Sequence, residues 1–401
     1  MLKHCNGSIL LLLSGVLILS AFVHFIGATL IMMLVNWAGL IPWERAVNAH
    51  WTERARLLWP VRYTAAICVF LVPFILNQVH WFLSPHDSYS WIALGIISFF
   101  GALLGCFPLD RRLFPELDFR TWCRQTIVWW GIRLGIWVFL GLGVILMPAE
   151  FGWKTILVAV GYMLIHCLFT WGLFLRYLRV LKFVKPAGPR LQTIVDATVS
   201  NMGGAYIRAT WEMGGRLALA FAFPVTRELA FSERALEICS DEEIAAVCAH
   251  EIAHLKESKW VLAARLLGSL IFLPIIFISP VVSNFGLWGL LVLYLLMFAI
   301  LILTRLLSRR MEKKADEQAR KVQSNEGVYA RALEKFYREN QLPAVNVSNR
   351  QTHPHLYDRL LAADITPDFP RPKRPKRLTL TGWAFVFAFI SFTVLSVAAG
   401  W

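Results

Sequence analysis

Apolar runs of about 18 residues or more recur along the chain, each long enough to cross the hydrocarbon core of a bilayer. Of the 401 residues, 57% are hydrophobic and 17 are tryptophan, which a soluble chain of this length rarely shows. Spans are expected at 9–41, 63–83, 91–109, 126–147, 155–177, 260–279, 286–306 and 382–401, about eight in all. The first is far longer than a secretory apolar core and has no convincing cleavage site, so it reads as a retained helix.

The formal charge of +14 does not point to nucleic acid, because Lys and Arg cluster beside the spans. Arg45, Arg54, Arg56 and Arg62 follow the first span, and Arg111, Arg112, Arg120 and Arg124 follow the third. The links 84–90, 148–153 and 280–285 hold no Lys or Arg. Basic and neutral links alternate, with Lys3 a minor dissent, and the positive-inside rule places residues 181–258 on the cytoplasmic side. A bacterial inner membrane or its equivalent fits. Seven scattered cysteines without a CxxC suit a reducing compartment.

One polar pattern interrupts this apolar background. His250-Glu251-Ile252-Ala253-His254 reads HExxH, which on a helix stacks both imidazoles on one face, where they can grip one Zn2+. Glu251 then sits beside the metal's open position as candidate general base. Ser240 with Glu243 forms a capping box, and Asp241, Glu242 and Glu243 put negative charge at the helix start. Ile244, Val247, Cys248 and Ile252 supply an apolar stripe. A third protein ligand is sought downstream. Glu312 and Asp316 are again four residues apart, Glu312 as candidate to complete a His2Glu site and Asp316 to orient an imidazole.

HEIAH, then Ser308-Arg309-Arg310-Met311-Glu312-Lys313-Lys314-Ala315-Asp316 beyond a membrane hairpin, resembles the membrane-embedded gluzincin peptidases. That family includes the CAAX prenyl-protein endoproteases and the HtpX-type heat-shock proteases. The resemblance runs from about Leu191 to Leu361. It implies His250, His254 and Glu312 as zinc ligands and Glu251 as the base. Leu219-Ala220-Phe221-Ala222 resembles the family's Asn-Ala-Phe-Ala substrate strand, with Leu219 in place of the asparagine. Thr352-His353-Pro354 with Arg359 resembles its THP…R segment, which implies a role for His353 in stabilising the oxyanion. On residues alone, His353 is equally a loop histidine capping a helix.

Alternation at 217–223 and 227–231 predicts two strands joined by a turn at Pro224. The tail from Arg371 to Arg377 carries five positive charges among prolines and reads as a topology anchor or an anionic-lipid contact. Arg133, in the middle of a span, is expected to face the bundle or water. His24 and His166, also within spans, are expected to be satisfied by helix neighbours.

The expected fold is mainly α, a polytopic membrane protein with a split α+β zincin-type catalytic domain. Five spans occupy 1–180. The first part of the catalytic domain is 181–258, a transmembrane hairpin 259–307, the second part 308–370, and a basic linker with the last span 371–401. The expected activity is hydrolysis of peptide bonds in membrane-associated, lipid-anchored or misfolded polypeptides, with membrane lipids as the other partner and no nucleic acid. Two alternatives stand beside it: a narrow processing protease of the CAAX type, and a non-enzymatic scaffold or transporter with a relic site.

Overall fold

The computed structural model describes residues 2–83, 90–271, 273–348 and 354–398. The chain forms two compact units. One comprises Met1–Trp122, Gln341–Val347 and Pro372–Trp401, the other Cys123–Asn340 and Ser348–Arg371.

The first unit is helical: α1 (Leu2–Arg45), α2 (Trp51–Leu83), α3 (Ser90–Leu104), α4 (Phe107–Leu113) and a C-terminal helix, Leu380–Ala398. Its packing rests on small residues, because lipid tails provide no hydrophobic drive between helices. Gly101 of α3 and Gly105, the residue just past its end, lie four apart and face α1. A Cβ at Gly105 would stand 2.5 Å from the Thr29 carbonyl oxygen, and one at Gly101 would collide with that of Phe25. The close approach lets Thr29 Oγ1 donate to the Gly101 carbonyl at 3.0 Å and Asn36 Nδ2 to that of Gly105 at 3.2 Å. His24 is satisfied within its own helix, Nδ1 lying 2.9 Å from the Ser20 carbonyl.

Among the described residues, four helices are long and apolar enough to cross a membrane: Ile18–Arg45, Trp51–His80, Ala93–Leu113 and Ile278–Val322. Trp153–Leu168 and Leu380–Leu395 are apolar but shorter.

Entry to the second unit is by α5 (Phe119–Leu146), α6 (Trp153–Leu168), a π-helical turn at Phe169–Leu173 and α7 (Phe174–Val180). The side chain of Arg133 on α5 lies outside the described residues. His166 reaches Ser269, Nε2 to Oγ, at 2.7 Å. A four-stranded sheet follows, with β1 (Val184–Pro186), α8 (Pro189–Asn201), β2 (Ala209–Met213), β3 (Ala220–Phe223) and β4 (Glu228–Ser232). The spatial order is β1-β2-β4-β3; β2 and β4 run parallel and the outer pairs antiparallel. β3 and β4 are the hairpin expected around Pro224, with Ala220 opposite Phe231 and Phe223 opposite Glu228. β3 is an edge strand. Its lead-in is held by Asn340, whose side chain accepts from the Ala218 N–H at 2.9 Å and donates to the Ala218 carbonyl at 2.7 Å.

The remaining elements are α9 (Glu233–Ile238), α10 (Asp241–Leu255), α11 (Lys259–Ser269), α12 (Leu273–Ile276), α13 (Ile278–Val322), α14 (Val328–Glu339) and α15 (Leu356–Leu361). The core of the unit forms around α10: Ile244, Val247, Cys248, Ile252 and Leu255 pack with Leu191 and Val195 of α8 and with Leu229 and Phe231 of β4. The capping box closes as the sequence predicts, Ser240 N to Glu243 Oε2 at 2.8 Å and Glu243 N to Ser240 Oγ at 3.3 Å.

The stretch 260–279 is not one continuous helix. The chain breaks after Ser269 and re-forms only a short helix at Leu273. The eleven residues of α11 rise about 16 Å, roughly half a bilayer core. The return limb is α13, which runs as two helices across Gly286, where φ is +58°. That is a left-handed conformation open to glycine and strained for other residues.

Candidate metal centre

On α10, His250 and His254 stand one turn apart and both are buried. The polar end of α13 runs alongside and presents Glu312 and Asp316, also buried. Three donor atoms converge. His250 Nε2 and His254 Nε2 are 3.2 Å apart; the first lies 3.5 Å from Glu312 Oε2 and the second 3.5 Å from Glu312 Oε1, so the carboxylate faces both rings. Four ligands at the Zn–N and Zn–O lengths of about 2.0–2.1 Å stand about 3.3 Å apart at the corners of a tetrahedron. The spacing and the donor set fit zinc, and the group can hold a metal ion.

Each imidazole is fixed from behind. His250 Nδ1 lies 2.7 Å from the Tyr329 hydroxyl and 3.1 Å from Asp316 Oδ1. Tyr329 donates to Asp316 Oδ1 at 2.6 Å. Arg359 donates through Nε to Asp316 Oδ2 at 2.9 Å, and through one terminal nitrogen to Asp316 Oδ1 at 2.6 Å and to the Tyr329 hydroxyl at 2.8 Å. His254 Nδ1 lies 2.8 Å from Glu257 Oε1, which also accepts from Arg265 at 2.5 Å. With carboxylates on the Nδ1 side of both rings, both Nε2 lone pairs point to the centre.

The surroundings are negative. Burial works against a charge on His250, but its hydrogen bonds with Asp316 and then Glu312 outweigh burial and lift the imidazole to about 9. A proton on Nε2 of that imidazole and a metal ion at the same atom exclude each other, because a ligating nitrogen must be bare. Burial pushes the Tyr329 phenol well above its ordinary range, so it stays protonated and able to donate to Asp316. Glu251 is buried on α10, one residue from His250.

Of the residues singled out in the sequence, His250, His254, Glu312 and Asp316 are brought together. Ala220, Phe221 and Ala222 lie on β3, which packs against α10, and Leu219 immediately precedes the strand. His353 lies outside the described residues. Tyr329, Glu257 and Arg265 escaped the sequence reading, and Arg359 entered it only as part of a motif. Glu257 lies three residues past His254, a spacing that returns to the same helix face, and this was the one local signal available.

Residues 190–366 match peptidase family M48. The chain carries an M48 peptidase domain. Its bounds enclose every residue of the centre, from both sides of the hairpin, and the hairpin itself. In fold the chain is similar to the crystal structure of S. mikatae Ste24p, with a TM-score of 0.53 at 15% identity over 86% of this chain and 98% of that one. At that identity the likeness speaks for the fold alone. No curated protein matches the chain by sequence. The M48 domain is that of a metallopeptidase, here on a chain with several long apolar helices.

Proposed function

We propose that the protein is an integral-membrane zinc metalloendopeptidase acting on membrane-associated or misfolded polypeptides, its M48 domain on the cytoplasmic side. The observation behind this is the convergence of His250 Nε2, His254 Nε2 and the Glu312 carboxylate, at separations close to those of a tetrahedral zinc ion. His250, His254 and Glu312 are the ligands, and Asp316 orients His250. Bound zinc supplies Lewis-acid polarisation of the scissile carbonyl and a water of lowered pKa. Glu251 is the general base: its carboxylate takes a proton from the attacking water and delivers it to the leaving amine nitrogen.

An extended substrate adds to the free edge of β3 through main-chain hydrogen bonds, which tolerate many sequences. Phe221, 36% exposed, offers that substrate an apolar contact. A cavity of about 830 Å³ along the hairpin, lined by Leu267, Leu273, Phe277, Leu293, Leu296 and Ile300, suits apolar segments of a membrane substrate.

The deciding experiment is Glu251→Gln. It removes the base and leaves the three ligands, so zinc content should match wild type while cleavage of casein falls to background. Wild-type cleavage by that variant would refute the assigned mechanism.

A further inference from the structure

Behind His254 stand a carboxylate and a guanidinium that compete for one ring nitrogen. Glu257 Oε1 lies 2.8 Å from His254 Nδ1, and a terminal nitrogen of Arg265 lies 3.4 Å from the same atom. The two neighbours demand opposite tautomers. A carboxylate only accepts, so Glu257 requires the proton on Nδ1 and leaves the Nε2 lone pair toward Glu312 and His250. A guanidinium only donates, so Arg265 alone would require a bare Nδ1 and put the proton on Nε2, where a metal would have to sit. The contest is settled by geometry. Arg265 turns its nitrogen onto Glu257 Oε1 at 2.5 Å, and Glu257 takes the imidazole at the shorter distance.

We infer that Glu257, held in place by Arg265, is a positioning residue that sets the His254 tautomer and thereby the affinity of the centre for zinc. The inference rests on the metal reading of the site and adds to it a residue of this chain. The surroundings of Glu257 suit this role, since its side chain is 5% exposed, next to a cavity of about 520 Å³ also lined by Lys256, Met311 and Lys314. It stands in the turn between α10 and α11, ahead of Ser258, which caps α11 through the Val261 N–H at 3.4 Å. Arg265 is on α11, the first limb of the hairpin. Seating of that limb against the end of α10 is thus transmitted to the metal site by one ion pair and one hydrogen bond. Losing a carboxylate that orients a ligating histidine typically weakens metal binding about 10–100-fold.

The experiment measures zinc affinity of the full-length protein in detergent by competition with a chromophoric chelator, and the visible spectrum after cobalt substitution, without any peptide substrate. Glu257→Ala should bind zinc about 10–100-fold more weakly and lose the strong visible bands of four-coordinate cobalt. Glu257→Gln, whose amide oxygen can still accept from Nδ1–H, should lose less. The pair Glu257→Ala with Arg265→Leu is decisive. Removing the competing donor should recover part of the affinity, whereas a structural role for the ion pair predicts a double variant at least as weak as the single one. Glu257→Ala with wild-type affinity, or a double variant without recovery, would overturn the inference while leaving the metal reading intact. A wild-type protein that binds no zinc would overturn both.

Discussion

Arg359 provides the sharpest quantitative test of how the centre is built. Its guanidinium is buried and donates three hydrogen bonds, two to Asp316 and one to the Tyr329 hydroxyl, at 2.6–2.9 Å. Arg359→Met keeps most of the stem and removes all three. A hydrogen bond to a charged group contributes about 1.5–3 kcal/mol net, and breaking a buried ion pair from one side costs about 3–5 kcal/mol. The carboxylate is not stranded altogether, because Tyr329 and His250 still donate to it. The lower end, about 3 kcal/mol, is therefore the expected loss of stability. Arg359→Lys keeps the charge without the planar fork and should fall between the two. The assay is the thermal midpoint in detergent, with and without excess zinc, alongside chelator competition. Zinc should weaken as well, because Asp316 is no longer held against His250. An Arg359→Met protein with wild-type midpoint and wild-type zinc affinity would refute this account of the support behind His250.

Two further outcomes are expected. Glu312→Ala should strip zinc under mild chelation and abolish cleavage, while Lys313→Ala, exposed one position along the same helix, should leave both near wild type; equal zinc retention by the two would exclude Glu312 as the third ligand. Burial raises the Cys239 thiol from 9.0 to about 12, so it should resist alkylation at neutral pH until the domain unfolds. The folded form is then favoured below pH 9 and loses that advantage between pH 9 and 12, which an alkaline unfolding series with a Cys239→Ala comparison would show.

What the sequence disclosed was mostly local. Ser240 and Glu243 mark the start of α10 because a capping box acts within four residues. The HExxH face and the Glu312–Asp316 spacing follow from helix geometry alone. β3 and β4 were legible through alternation on either side of Pro224. β1 and β2 were not: β1 is three residues ending in proline, and β2 pairs in parallel with β4 across an intervening strand, a long-range match without local signature. Hydropathy saw 260–279 as one apolar run because it weighs side chains and not backbone continuity, and the chain breaks after Ser269. Tyr329 and Arg265 act at the centre through tertiary placement, and nothing in their neighbourhoods announces it.

The order in which the chain is synthesised acquires a meaning from the hairpin. On the proposed ligand set, both histidines leave the ribosome first, on a helix that can fold early around its own cap. Glu312 follows only after both limbs of the hairpin have been made, at the far end of a helix whose other half is apolar. On that ligand set, a chain whose return limb has not yet been made lacks the third ligand, and the donor group closes only when Glu312 reaches α10. Completion of the donor group is in this way tied to completion of the hairpin.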